Sequence, residues 1–195
     1  MVNAKVAGLL VIGLLPMLPA CTTIPEPSPE TYSEQANAPL YQVQRWSLDG
    51  RLALTGKQDA WQASINWTHE PSSDAIKLAG PLGQGATNIF LTKDFVTIDR
   101  GAGKVQTSSQ PEAFISQQVG LFVPVRSLRY WVVGLPEPDI AYLGTNAGFT
   151  QSGWLIEYGP MQAVDNKRMP RKLTVSNPQV KLKLIIEQWA INDAR

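Results

Sequence analysis

Residues 76–91 read Ile-Lys-Leu-Ala-Gly-Pro-Leu-Gly-Gln-Gly-Ala-Thr-Asn-Ile-Phe-Leu. Two apolar runs of strand length enclose three glycines and one proline, which neither a strand interior nor a helix interior tolerates. The pattern predicts a β-hairpin with a projecting loop, because connecting loops run over the surface. Leu82 lies at the tip of that loop. It is either an ordinary exposed leucine, as any protein carries, or an apolar side chain that enters lipid.

On the amino-terminal side of this hairpin, apolar and polar residues alternate strictly. The alternation runs through residues 46–55 and 61–68, on either side of a turn at residues 56–59. A period of two residues is typical of strands with one buried face, so these segments predict a second antiparallel hairpin. A short helix over residues 40–45 precedes it, because Pro39 suits the first position of a helix.

On the carboxyl side, two helices interrupt the strands. Residues 95–100 and 104–107 predict strands, residues 111–119 and 124–133 predict helices, and about four strands follow Pro138. Because strands and helices do not alternate along the chain, a parallel sheet is not expected. The predicted fold class is α+β: an antiparallel sheet of about ten to eleven strands that curls into an incomplete β-barrel under a helical lid.

The amino-terminal segment predicts a signal and a tether rather than part of the fold. Residues 1–20 combine Lys5 with an apolar run too short to span a bilayer, and they lead into Leu-Pro-Ala-Cys, which resembles the lipobox of bacterial lipoproteins. That resemblance implies acylation of Cys21, the alternative being an ordinary secretory signal with an accidental cysteine. Residues 21–39 form a proline-rich tether, which leaves residues 40–195 as a single domain.

The composition argues against several functional classes. The 17 Lys and Arg residues balance 16 Asp and Glu residues, whereas nucleic-acid binding needs a concentrated basic surface. With one cysteine and one histidine, His69, the chain can form neither an internal disulfide nor a zinc site. It has no Gly-x-Ser-x-Gly motif and no phosphate-binding loop. We therefore expect no enzyme, no metal and no cofactor beyond the covalent lipid on Cys21.

One enzymatic alternative stays open. Asp49, Asp94 and Asp99 are carboxylates on separate predicted strand ends or turns. A hydrolase with paired carboxylates is compatible with them, although nothing in the pattern favours it.

Several segments, taken in order, resemble the LolB family of outer-membrane lipoproteins. The most specific is Leu-Arg-Tyr-Trp-Val-Val-Gly-Leu-Pro at residues 128–136; the others are residues 46–54, the strand of Trp67, and residues 80–83, 153–158 and 184–189. The resemblance covers nearly the whole mature chain. It implies a hydrophobic cavity under the helical lid and a projecting loop with an apolar tip that contacts the membrane, here Leu82.

The resemblance also implies a function and partners. The family takes lipoproteins from the soluble periplasmic carrier LolA and inserts them into the outer membrane. The expected partners are therefore LolA, acylated lipoprotein cargo and outer-membrane lipid, and the expected state is a lipid-anchored monomer that faces the periplasm of a Gram-negative bacterium. Thr22 rather than Asp follows Cys21, which by the sorting rule of enteric lipoproteins implies release to the outer membrane.

The physics of acyl chains supports this function. Burying an acyl chain is favourable by about 0.8 kcal/mol per CH₂, and three long chains together exceed the roughly 20 kcal/mol limit of non-covalent affinity. Such cargo must pass between apolar sites rather than through water. We expect the cavity to form between the concave face of the sheet and the helices, with these lining candidates: Leu40, Val43, Leu52, Leu54, Ile65, Trp67, Ile115, Val119, Leu128 and Val132.

Two other classes are alternatives. A structural outer-membrane lipoprotein could scaffold an envelope complex by strand addition, and it would have a packed core without a cavity. A lipid-modifying enzyme would need a catalytic group that the sequence does not reveal.

Overall fold

One open antiparallel sheet of eleven strands dominates the computed structural model, which describes residues 32–57, 60–83, 85–119 and 122–192. The strands of the sheet are β1 Trp46–Thr55, β2 Ala60–Glu70, β3 Ser73–Ala79, β4 Thr87–Thr92, β5 Val96–Asp99, β6 Val105–Ser108, β7 Tyr142–Thr145, β8 Gly148–Gln151, β9 Trp154–Tyr158, β12 Lys172–Ser176 and β13 Lys181–Ile191. Strands β10 Met161–Val164 and β11 Lys167–Pro170 form a separate hairpin. The helices are α1 Glu34–Asn37, α2 Pro111–Val119 and α3 Val125–Trp131. The predicted α+β class and the predicted number of sheet strands are confirmed.

The strand order in the sheet is β6-β5-β4-β3-β2-β1-β13-β12-β9-β8-β7. The long strands β1, β2 and β13 occupy its centre, where Leu52 lies opposite Ala63 on β2 and Leu184 on β13. Each half of the sheet is a run of antiparallel neighbours, as the absence of strand–helix alternation predicts. The pairing of β1 with β13 joins the two halves into one surface.

A β-bulge bends the centre of this sheet. The register of β1 against β13 shifts between Asp49 and Gly50. At Gly50 the backbones approach so closely that a Cβ atom would lie 2.1 Å from the carbonyl oxygen of Ile185. Only glycine fits this position, and a bulge increases strand bending and twist. The bend helps the sheet to curl toward one side.

The core lies between the curled sheet and the helices. Most inward residues of β1 and β2 are buried, and Leu48, Leu54 and Trp67 are at most 1% exposed. The helical side contributes Trp131 and Val132, which are fully buried. The alternating face that the sequence assigns to the interior therefore packs against the helices, and a helical lid over the sheet is confirmed. In the described part of the chain, no helix has the length and apolar character needed to cross a membrane.

Packing begins earlier in the chain than the predicted boundary at residue 40. Ser33 caps α1 by accepting a hydrogen bond from the backbone N–H of Ala36 (3.3 Å). The ring of Tyr32 stacks on that of Tyr158 at 5.2 Å between centroids, and its hydroxyl donates to the carbonyl of Gly134 (3.0 Å). In place of the helix expected over residues 40–45, Ala38–Gln42 form a 3₁₀ helix that contains Pro39, and residues 43–45 are not helical.

After the helices the described chain has seven strands, where about four were predicted. Strand β7 was missed because all four of its residues are exposed at the sheet edge, so no alternation marks it. The β10–β11 hairpin was missed because its four-residue strands pair only with each other. A short strand outside the main sheet has too few buried positions to give a periodic signal.

Candidate functional site

A wholly apolar cavity lies between the sheet and the helices. Its volume is about 70 Å³. The sheet supplies lining residues from β1 to β4 and from β13, and the helical region supplies the rest. The lining residues are Leu52, Leu54, Trp61, Ile65, Trp67, Ile76, Leu78, Ile89, Ile115, Val123, Val125, Leu128, Leu182 and Leu184. Such a surface can hold hydrocarbon, and it offers no charged group to a substrate.

The alternation of the strands places these side chains. Leu54 lies opposite Trp61 on β2 and Leu182 on β13, and Ile65 lies opposite Leu78 on β3. Because side chains two apart on a strand point to the same face, each strand sends a row of apolar residues toward the helices. Helices α2 and α3 close the cavity from the other side.

The predicted cavity residues fall into three groups. Six of the ten candidates line the cavity: Leu52, Leu54, Ile65, Trp67, Ile115 and Leu128. Leu40, Val43 and Val132 are buried in the core but do not line the cavity. The side chain of Val119, at the end of α2, lies outside what the structure describes.

Eight lining residues were not among the candidates. Most of them, including Trp61, Ile89 and Leu182, continue the same alternating face on predicted strands. Applying the period of two to every strand of the hairpins would have found them. Val125 begins α3 and belongs to the predicted apolar stripe of that helix with Leu128 and Val132, although it was not among the candidates; Val123 precedes the helix, where no periodic signal marks it.

The cavity is small compared with an acyl chain. A cavity of about 150 Å³ holds a benzene molecule, which has six carbons. A volume of about 70 Å³ therefore accommodates roughly three carbons by the same measure. A long acyl chain enters only if the helices move away from the sheet.

The cavity comes nearest to solvent at one end of the sheet, which we call the loop end. The register places four turns there, at residues 56–59, 80–86, 100–104 and 177–180. All lining residues are buried except Trp61 and Leu78, which are half-buried. Trp61 follows the first of these turns and Leu78 precedes the second, so the mouth of the cavity opens at the loop end.

A buried ionic cluster lies at the opposite end of the sheet. The carboxylate of Asp74 is 1% exposed; it accepts a hydrogen bond from Trp67 Nε1 (2.9 Å) and lies 2.7 Å from His69 Nδ1. The guanidinium of Arg129 on α3 lies 3.2 Å from the other carboxylate oxygen. A buried carboxylate is costly unless it is paired and hydrogen-bonded. The cluster therefore fastens α3 to β2 and β3.

Further polar contacts hold α3 at both of its ends. Arg126 donates to the carbonyl of Lys93 (2.6 Å), and Ser127 donates to the carboxylate of Glu137 (2.6 Å). Trp131 Nε1 donates to Gln151 Oε1 (2.8 Å), and the hydroxyl of Tyr158 donates to the carbonyl of Trp131 (2.8 Å). Helix α3 is thus bonded to the chain on several sides.

Helix α2 is held far more weakly. Its one side-chain hydrogen bond to another element, among the described residues, runs from Arg100 to Gln118 Oε1 (2.6 Å). Ile115 is the buried lining residue of α2, and the buried hydroxyl of Ser116 has no partner in the described part of the chain. Since few contacts must break to lift α2, it is the element best suited to open the cavity.

Burial raises the pKa values of the tyrosines that pack near the amino-terminal segment. Burial raises the pKa of Tyr158 well above its ordinary value, and the nearby hydroxyls of Tyr32 and Tyr41 add to the shift. Burial, followed by the charge of Glu34, raises the pKa of Tyr41 to about 12. These phenols act as neutral hydrogen-bond donors, as in the bond from Tyr41 to the carbonyl of Pro136 (3.0 Å).

The structure places the remaining predicted residues as follows. His69 lies within β2, rather than in a turn, and belongs to the ionic cluster. Asp49 accepts from Asn66 (2.8 Å) and Asp99 accepts from the N–H of Gly101 (2.7 Å), so these carboxylates serve local structure. No cluster of three metal-ligating side chains occurs within the described ranges.

Two residues predicted to meet the membrane, Cys21 and Leu82, lie wholly or partly outside what the structure describes. Cys21 lies outside the described residues. The backbone of Pro81–Gly83 forms a 3₁₀ turn, in which the N–H of Gly83 donates to the carbonyl of Gly80 (3.0 Å). The side chain of Leu82 lies outside what the structure describes, so its role as a membrane contact stays a prediction.

The family model and the relatives that match this chain all point to one family. The model of the family described as outer membrane lipoprotein LolB matches residues 44–189. The outer-membrane lipoprotein LolB of Marinomonas sp. (strain MWYL1) is 31% identical over 194 residues, which cover 94% of this chain and 97% of the relative. The corresponding protein of Nitrosococcus oceani is 28% identical over 93% of this chain and 96% of its own.

A solved structure was also compared with the chain. It is the crystal structure of a LolA superfamily protein from Nitrosomonas europaea. The TM-score is 0.49 at 7% sequence identity, over 82% of this chain and 94% of the other.

Proposed function

The chain belongs to the LolB family of outer-membrane lipoproteins, and on that premise we propose that its apolar cavity receives the acyl chains of lipoprotein cargo. As a member of the family it is an outer-membrane lipoprotein and a receptor rather than an enzyme, and it accepts lipoproteins from the carrier LolA. The proposal adds where in the molecule the acyl chains bind and which element admits them.

The observation that carries the proposal is the chemistry of the cavity lining. Every lining side chain is aliphatic or a tryptophan, and two half-buried ones mark a mouth. A scaffold lipoprotein that acts by strand addition needs no such cavity, so the lining favours an acyl acceptor over that alternative. The lining residues Leu52, Leu54, Ile65, Trp67, Ile115 and Leu128 are the predicted acyl contacts.

Transfer runs downhill if each successive site binds the acyl chains more tightly than the site before it. Each CH₂ that leaves water gains about 0.8 kcal/mol, so a chain released into water would face a barrier of many kcal/mol. A small cavity that enlarges only as α2 lifts keeps most of its lining out of water between transfers. The outer membrane is then the final apolar site, and an anchor at Cys21 would keep the receptor beside it.

A cross-linking experiment tests the acyl site. A photoreactive phenylalanine analogue replaces Leu78 at the mouth of the cavity in the lipidated full chain, and LolA loaded with radiolabelled acylated lipoprotein is added. The matched control places the same analogue at Leu143, a leucine that is 74% exposed and lies on β7, away from the cavity. We expect light-dependent cross-links to the acyl cargo from position 78 and not from position 143. Equal cross-linking at both positions, or none at position 78, would contradict the proposal.

A further inference from the structure

Basic side chains gather at the loop end, outside the cavity. Lys57 lies in the turn at residues 56–59, Lys104 in the turn at residues 100–104, and Lys181 and Lys183 at the start of β13. All four side chains are exposed, and none has an ion pair or a side-chain hydrogen bond within the part of the chain that the structure describes. Four exposed ammonium groups thus lie at one end of the sheet, each unpaired among the described residues.

The acidic residues of these turns and their flanking strand ends, Asp59 and Asp99, are fewer than the four lysines. The carboxylate of Asp99 is engaged by the backbone N–H of Gly101, and Asp59 belongs to the part of its turn outside the described residues. At the opposite end two basic residues are held in ion pairs. There Arg45 pairs with Glu70 at 3.0 Å and Arg129 with Asp74 at 3.2 Å. The molecule is close to neutral overall, but its loop end is basic.

A groove brings one of these lysines next to the projecting loop. It has a volume of about 590 Å³ and runs between Gly80–Gly83 and the outer face of β1, β2 and β13. Lys183, Arg51 and Ile185 line it. Arg51 is already paired with Glu187 at 2.7 Å, whereas Lys183 is unpaired within the described residues. The groove thus offers one cation for a phosphate group beside Ile185, which is 41% exposed and can contact an apolar chain.

We propose that the loop end docks on the headgroup layer of an anionic phospholipid bilayer, with Lys183 binding a lipid phosphate in this groove and Lys57, Lys104 and Lys181 contacting neighbouring headgroups. The inference rests on the proposed function, because it places the mouth of the acyl cavity against the bilayer that receives the cargo. The charge of the surface complements the lipid: a basic residue near an anionic membrane raises binding about fivefold. The attraction acts within a Debye length of about 10 Å at 0.1 M salt.

A depth measurement on the anchored protein tests this docking. The lipidated full chain is placed in phosphatidylcholine vesicles with or without phosphatidylglycerol, and a fluorophore on Ala86→Cys reports quenching by brominated lipid. We expect stronger quenching with phosphatidylglycerol and loss of that increment at 1 M salt. The double variant Lys181→Gln/Lys183→Gln should lower the ratio of docked to undocked protein by up to about 25-fold, from two contributions of about fivefold.

The control removes the same charge elsewhere. Lys93 lies in the turn after β4, at the opposite end, and Lys172 lies at the far end of β12, and both are exposed. The variant Lys93→Gln/Lys172→Gln should quench like the unsubstituted chain. The proposal would be overturned if quenching did not depend on phosphatidylglycerol, or if it fell equally in both double variants. So would a loss of cargo acceptance from LolA in Lys181→Gln/Lys183→Gln with quenching unchanged, since the surface would then bind protein.

The acyl-site proposal and the docking proposal are tested by different measurements, so one can fail without the other. Acyl cross-linking from position 78 measures cargo acceptance, whereas quenching at position 86 measures docking in the absence of cargo. If cross-linking fails while quenching depends on charge, the cavity proposal is wrong and the docking surface stands. If cross-linking succeeds while quenching does not depend on charge, the docking proposal is wrong and the acyl-site proposal stands.

Discussion

At the scale of single residues, the ionic cluster around Asp74 is the most sensitive point of the fold. Asp74→Asn removes the negative charge and leaves Arg129 partly buried beside a neutral amide. Removing one partner of a buried pair costs about 3–5 kcal/mol, and we expect about 3 kcal/mol because the Arg129 side chain is 20% exposed. The free energy of unfolding, measured by urea titration of the full chain, checks this.

Asp49→Asn is the matched control for that experiment. Asp49 is exposed and makes one hydrogen bond, from Asn66, so its loss should change the free energy of unfolding by no more than about 0.5 kcal/mol. Similar losses in the two variants would show that Asp74 has no special role.

The sequence could not reveal this cluster. An aspartate at the start of β3 and a histidine at the end of β2 read as turn residues, because each is polar and next to a Pro-Ser-Ser turn. Burial of Asp74 depends on Arg129, which α3 brings from a distant part of the chain. Alternation along a strand reports which face a residue occupies, but it does not report a charged partner from another element.

At the scale of elements, α2 and α3 should differ in stability although they share one side of the sheet. We expect the backbone amides of α2 to exchange hydrogen faster than those of α3, because a single side-chain hydrogen bond links α2 to another described element. Gln118→Ala removes that bond and should speed exchange in α2 further. Hydrogen–deuterium exchange with mass spectrometry measures both effects.

Gln117→Ala is the control, because Gln117 is exposed on the same helix. Exchange in α2 should be unchanged in this variant. Protection of α2 equal to that of α3 would mean that α2 is not the element that opens, and the cavity would then need another way to enlarge.

The elements themselves were predictable to different degrees. Strands β1 to β5 and both lid helices follow from period and from proline positions, because each has a buried face and a clear boundary. Strand β6 has no buried residue, and its prediction rested on the Gly-Ala-Gly turn at residues 101–103 that precedes it. The apolar side chains that those strands contribute to the cavity can therefore be predicted from the sequence. Edge strand β7, the β10–β11 hairpin and helix α1 carry few buried residues, and a segment without a buried face leaves no periodic pattern.

At the scale of the whole molecule, acceptance of cargo and delivery of cargo should be separable at the projecting loop. Leu82→Glu should slow release of bound lipoprotein into vesicles by tenfold or more, because an apolar side chain gains about 1.5–3 kcal/mol on leaving water. Acceptance from LolA should be unchanged, since that step involves no bilayer. Transfer of labelled lipoprotein into vesicles measures the effect.

Phe95→Glu introduces the same charge at a phenylalanine that is 39% exposed and lies between β4 and β5, at the end of the sheet opposite the loop end. It should deliver cargo at the unsubstituted rate. If Leu82→Glu also delivers at that rate, Leu82 is an ordinary loop residue and the lysines act without it.

Strand β13 is synthesised after every other strand of the sheet, yet it pairs with β1 at the sheet centre. Without β13, the strands β1 to β6 and the strands β7, β8, β9 and β12 belong to two separate parts of the sheet, and β1 and β12 each lack a partner on the side where β13 pairs. Contacts so distant in sequence form slowly, and exposed strand edges promote aggregation. We therefore expect a nascent chain of this protein to stay loosely packed, and to need protection of its strand edges, until β13 joins the sheet.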